Sequence, residues 1–130
     1  MSENTPDSIQ EARRYLANAK QILSEKARKE DGYFQDPKYV KMAAHTAYAG
    51  ILLVLDEVFG KKTKGRKDVD WYKSNLSLSD KKMLNSFMTA YQVLHLDMAY
   101  DGARSAALAK LGIEEAEKLI HWVERKTGSA

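Results

Sequence analysis

Cysteine is missing from the 130-residue chain altogether. That one absence removes disulfide staples, thiolate zinc sites and cysteine nucleophiles together. Proline is almost missing too, with two residues, and only seven glycines punctuate the rest. Long segments are therefore free of helix breakers. No apolar run reaches the roughly 20 residues that a membrane-spanning helix needs. The polar start Met1-Ser2-Glu3-Asn4-Thr5 is not a secretory signal, so a cytoplasmic protein without membrane contact is expected. No strand-length stretch alternates apolar and polar residues convincingly. What is present is an ordinary folded balance, 44% hydrophobic and 30% charged, which argues against a disordered chain.

The net charge of +3 resolves into one short segment. Lys61, Lys62, Lys64, Arg66 and Lys67 supply five of the 21 basic residues, and without them sixteen positive side chains face eighteen negative ones. The basic character belongs to a loop and not to a whole face.

The apolar residues recur at helical spacing. A first helix is expected from about Ser8 to Lys29, opened by a capping box of Ser8 and Glu11. Its inward stripe is Ile9, Ala12, Leu16, Ala19 and Leu23. Asp31-Gly32 breaks the pattern, and Asp36-Pro37 caps a second helix over Pro37 to Phe59. That helix is apolar around most of its circumference, as a central helix must be, and Ala43, Ala44, Ala47, Ala49 and Gly50 allow close neighbours. Gly60 to Asp68 reads as a charged loop, Val69 to Asn75 as a short helical turn and Ser77-Leu78-Ser79 as a connector. A helix over about Asp80 to Met98 turns Leu84, Phe87, Met88, Tyr91 and Leu94 inward. Tyr100-Asp101-Gly102 makes the last turn before a helix over Arg104 to Lys126. Gly112 inside that helix costs about 1 kcal/mol relative to alanine, which calls for a packing reason or a bend. The sum is an all-α antiparallel bundle of four main helices and one short connecting helix. It forms a single domain over residues 1–126, with 127–130 a disordered tail or linker.

Candidate sites are few. The basic loop could hold a nucleic-acid backbone, though a solvated connector explains it more simply. Gly60 and Gly65 mimic phosphate-loop spacing, but Arg66-Lys67 stands where Lys-Ser/Thr should, and the loop leaves a helix. His45 has Tyr48 three residues on, and His95 follows Tyr91 by one turn, so either imidazole could carry a proton near neutrality. A hydrogen bond between packed helices is the plainer role for both. His121 beside Trp122 belongs at the end of the last helix. A helical di-iron site needs two Glu-x-x-His pairs, and Met42, Gln92 and Lys118 stand at the required positions instead. Glu117 and His121 could bind an ion only weakly. Asp68 and Asp70 read as a cap, and Glu114, Glu115 and Glu117 as a solvated face.

The runs Glu11-Ala12-Arg13-Arg14-Tyr15-Leu16, Glu30-Asp31-Gly32-Tyr33-Phe34-Gln35-Asp36-Pro37, Thr46-Ala47-Tyr48-Ala49-Gly50, Leu94-His95-Leu96 and Tyr100-Asp101-Gly102 form a recognisable set. Together they resemble a small family of bacterial proteins of unknown function with a HEPN-like helical bundle, over roughly Ser8 to Val123. The resemblance implies either a ribonuclease or a non-catalytic partner module. The ribonucleases carry arginine four to six residues before histidine, and no arginine stands there before His45, His95 or His121, so no catalytic residue is transferred. Asp97 to Ala109 departs from the family's pattern by being rich in small residues. Natural divergence explains this, and a bundle engineered as a scaffold to bind a chosen protein target is the alternative.

The reading that follows is a non-enzymatic bundle acting by protein association, as a homodimer or with a protein partner, and without cofactor or metal. Its expected face is Met98, Tyr100, Arg104, Ala107 and Leu108. Nucleic-acid binding through Lys61, Lys62, Lys64, Arg66 and Lys67 is the competing class.

Overall fold

A computed structural model describes residues 7–60 and 67–127. The first helix, α1 (Asp7–Glu25), buries Ile9, Ala12, Leu16, Ala19 and Leu23, the stripe that its spacing dictates. Its start differs from the expectation. Ser8 lies inside the helix, and its hydroxyl donates to Glu57 at 2.6 Å and so does not cap the first turn.

The end of α1 differs as well, four residues short of Lys29. The chain instead forms a two-residue-per-strand hairpin, β1 (Lys29–Glu30) paired antiparallel with β2 (Tyr33–Phe34). Asp31 and Gly32 make its turn with φ of 52° and 82°, the positive pair that a tight hairpin turn requires and that Asp-Gly supplies. A third segment docks on it: the Phe34 amide donates to the Arg104 carbonyl at 2.8 Å and the Ala106 amide to the Gly32 carbonyl at 2.9 Å. The hairpin thereby ties the end of α1 to the start of the last helix.

Asp36 caps α2 (Pro37–Phe59) by accepting from the Lys38 amide, with Pro37 in the first turn. By length and composition α2 is apolar enough to cross a membrane, which the count of uninterrupted apolar residues misses because His45 and Thr46 interrupt the run. Here that apolar surface packs against α1, the π-helical segment described below and the last helix. A Cβ at Gly50 would lie 3.2 Å from the Ala12 carbonyl oxygen and 3.3 Å from Tyr15 Cβ, so the glycine permits the close approach of α1.

The expected short turn is a full helix, α3 (Val69–Ser79), capped by Asp68, which accepts from the Trp71 amide at 2.9 Å. Ser77-Leu78-Ser79 belongs to its last turn and is not a separate connector. Asp80 alone joins α3 to α4 (Lys81–Ala90), accepting from the Lys82 and Met83 amides. The helix expected to reach Met98 then changes character. Tyr91–Tyr100 is a ten-residue π-helical segment, far longer than the single-turn bulges in which this geometry is usually met. Its buried residues explain the choice. Val93-Leu94 and Met98-Ala99 are the buried pairs, separated by five residues, the hydrogen-bond step of a π-helix. Met88 is 44% exposed and not inward as its spacing had implied, while Leu84 and Tyr91 are half-buried.

The last helix, α5 (Ala106–Thr127), starts after Ser105, whose hydroxyl accepts from the Leu108 amide. Gly112 has the packing reason its cost demanded: a Cβ there would meet Leu94 Cδ2 at 2.8 Å and Val93 Cγ1 at 2.9 Å. The result is predominantly all-α, with α2 at the centre of the bundle.

Candidate functional site

Tyr48 on α2 faces the π-helical segment, where Tyr91 and His95 stand about one turn apart and can overlap. The His95 ring stacks 4.8 Å from Tyr48 and 5.3 Å from Tyr91, with interplanar angles of 30° and 26°. Tyr100, at the end of the segment, meets the imidazole edge-on at 6.0 Å. Inward, Phe87 carries the contacts from Tyr48 and Tyr91 to Tyr72. From there they pass through Trp71 and Phe59 to Trp122. A ladder of rings thus crosses the bundle and reaches solvent at Tyr100, which is 72% exposed.

The polar atoms of this ladder are unequal. The Tyr72 hydroxyl donates to Asp56 at 2.7 Å, and Asp56 also holds the Lys67 ammonium at 3.1 Å. His95 Nδ1 is buried with no hydrogen-bond partner. Burial, and after it the nearby charge of His45, pushes the His95 pKa below its ordinary 6.5, so the ring is neutral at pH 7. Burial also raises the Tyr48 phenol, as does Tyr91, and it stays protonated throughout the neutral range. A neutral imidazole clasped by phenols can accept or donate one hydrogen bond. Among the described residues, no acid, base and nucleophile converge on it.

The residues anticipated from sequence divide. Tyr100, Arg104 and Ala107 are exposed and Leu108 is half-buried, but Met98 is fully buried in the core and leaves the face. Met98 turns inward because the π-helical step stacks it under Val93. Tyr33, 55% exposed, and Leu111, 41% exposed, were missed. The three- and four-residue spacing of Arg104, Ala107, Leu108 and Leu111 could have flagged the second.

Of the basic loop, Lys61, Lys62, Lys64 and Arg66 lie outside the described residues, as does Gly65. Lys67 is committed to Asp56 and lies over the Trp71 ring at 5.4 Å. His45 is exposed. Glu117 is engaged by Lys20, and His121 faces Glu124, so these two do not form a pair. Among the described residues, no three His, Cys, Asp or Glu side chains are grouped to hold a metal ion.

The comparisons with known proteins agree with this fold. A family model described as a domain of unknown function, DUF5618, matches residues 7–125. Among solved structures, a protein of unknown function from Dyadobacter fermentans is 62% identical, with a TM-score of 0.90 over 92% of this chain and 96% of that one. No curated protein matches the chain.

Proposed function

The chain belongs to the DUF5618 family of domains of unknown function, and we propose that it works without catalysis, by association with a second copy of itself. The observation that carries this reading is Tyr100, a large aromatic left 72% exposed at the open end of a ladder whose other rings are buried or half-buried. Tyrosine and arginine are the side chains most often found at the energetic centre of interfaces. Arg104 stands exposed four residues on. Across a two-fold axis each Arg104 would meet the Tyr100 ring of the other copy, a self-complementary pairing of the kind a symmetric dimer needs. Ala107, Leu108 and Leu111 extend the apolar part of the patch along α5. The HEPN-like resemblance fits a non-catalytic module of this kind, because the arginine that would accompany a catalytic histidine is missing.

The test is the molar mass of Tyr100→Ala and Leu108→Asp by size-exclusion chromatography with light scattering, beside helicity and melting. Loss of the dimer with folding unchanged supports the reading. A dimer that survives both substitutions contradicts it, and loss of folding in Leu108→Asp would return that residue to the core, leaving Tyr100→Ala to decide.

A further inference from the structure

A second feature stands apart from that face. Between α1, the hairpin and the start of α5 lies a cleft of about 400 Å³, within the roughly 300–1,000 Å³ of small-molecule pockets. Its floor is apolar: Leu23, Phe34 and Ile113 come from three different elements and are each less than a tenth exposed. Its rim is cationic, with Lys20, Lys29 and Lys110, and no residue lining it is acidic.

The three lysines are not equivalent. Lys20 is neutralised by Glu117. The side chains of Lys29 and Lys110 have no ion-pair or hydrogen-bond partner among the described residues. Two uncompensated ammonium groups over an apolar trough, in a chain whose charges are otherwise nearly balanced, are complementary to one kind of ligand. We propose that this cleft binds a free amphiphilic anion, a carboxylate on an unbranched aliphatic tail. The tail lies along Leu23, Phe34 and Ile113, and the head reaches Lys29 and Lys110. Lys29 is held in place by the hairpin and Lys110 by α5, and the backbone bonds between those two segments fix the width of the cleft.

Decanoate, below its micelle concentration, is the probe, titrated into the full chain and followed by calorimetry and by methyl shifts. One saturable site is expected, with shifts centred on Leu23 and Ile113. Acetate, which lacks the tail, and decanol, which lacks the charge, should each bind at least about tenfold more weakly. Charge reversal in Lys29→Glu/Lys110→Glu should weaken decanoate by about tenfold or more at unchanged melting temperature. Ala106→Trp, which fills the cleft, should block decanoate outright. Decanoate binding that is unaffected by the charge reversal would overturn the proposal, as would shifts spread far from the cleft or no binding up to the solubility limit. Cosedimentation with phosphatidylglycerol vesicles that decanoate does not compete away would assign the lysines to a membrane surface and overturn it equally.

Discussion

Tyr72 and His95 are two polar rings in one aromatic ladder, and the bundle treats them oppositely. At the inner end the Tyr72 hydroxyl is bonded to Asp56, which Lys67 balances in turn. At the outer end the Nδ1 of His95 is buried without a partner, and its ring stacks on Tyr48 and Tyr91. An unsatisfied buried polar atom costs on the order of 1–3 kcal/mol, so the outer end sacrifices stability that the inner end retains. The difference separates a structural junction from a surface whose last ring, Tyr100, stands open to solvent.

That contrast can be broken at several depths. Phe87 touches Tyr48, Tyr72 and Tyr91 and is fully buried, so Phe87→Ala should disconnect the two ends. It should cost about 3–5 kcal/mol in chemical denaturation. Gly112→Val would drive a branched side chain into Val93 and Leu94 and distort the π-helical segment from behind. A loss of about 1–3 kcal/mol is expected, with the outer ring contacts disturbed more than Tyr72. Tyr72→Phe removes one bond to a charged acceptor and should cost about 1.5–3 kcal/mol. His95→Phe keeps the stack and deletes the orphaned nitrogen, so its stability at pH 7 should match or slightly exceed the parent's. A clear loss there would mean that His95 has a partner after all.

Acidification sharpens the same comparison. The folded His95 pKa lies below 6.5, so between the two values the unfolded chain binds the proton and the native chain does not. Stability therefore falls as pH drops through and below about 6.5, and above that range His95 contributes no slope. His95→Phe should flatten this part of the curve. The carboxylates act lower down. Arg13 holds Glu124 below its ordinary value through hydrogen bonds that outweigh burial. Burial alone would raise Glu115, and hydrogen bonds from Lys118, at 2.9 Å, and Ser86 reverse it. Both contribute stability that is present above about pH 4.5 and is lost as pH falls toward their folded values, so that limb should persist in His95→Phe.

The bundle was legible in the sequence because its stripes are regular. The buried face of α1, the Asp36-Pro37 cap, the central α2 and the tight packing at Gly112 follow from spacing and local chemistry. The hairpin was also legible in principle, since Asp31-Gly32 is the turn pair that strands of any length need, but two-residue strands leave no alternation to see. The π-helical segment was not legible: Leu94 fits a 3.6-residue stripe with Phe87 and Tyr91, and only the pairing of Val93-Leu94 with Met98-Ala99 betrays the five-residue step. That shift is what buries Met98 and leaves Tyr100 exposed. Of the five residues of the expected face, Tyr100, Arg104 and Ala107 are exposed, Leu108 is half-buried and Met98 is turned into the core. The cleft beside Lys29 and Lys110 could not be read, because its walls come from segments about 80 residues apart that the hairpin and the α1–α5 ion pairs bring together.

The dimer proposed at the open end of the ladder is the claim on which the other expectations for this face depend. Its most direct test is the molar mass of the wild-type chain by light scattering from micromolar to near-millimolar concentration. A rise from the 14.7 kDa monomer toward twice that mass, abolished by Tyr100→Ala, is the result expected. A mass that stays at the monomer value across the whole range would contradict it.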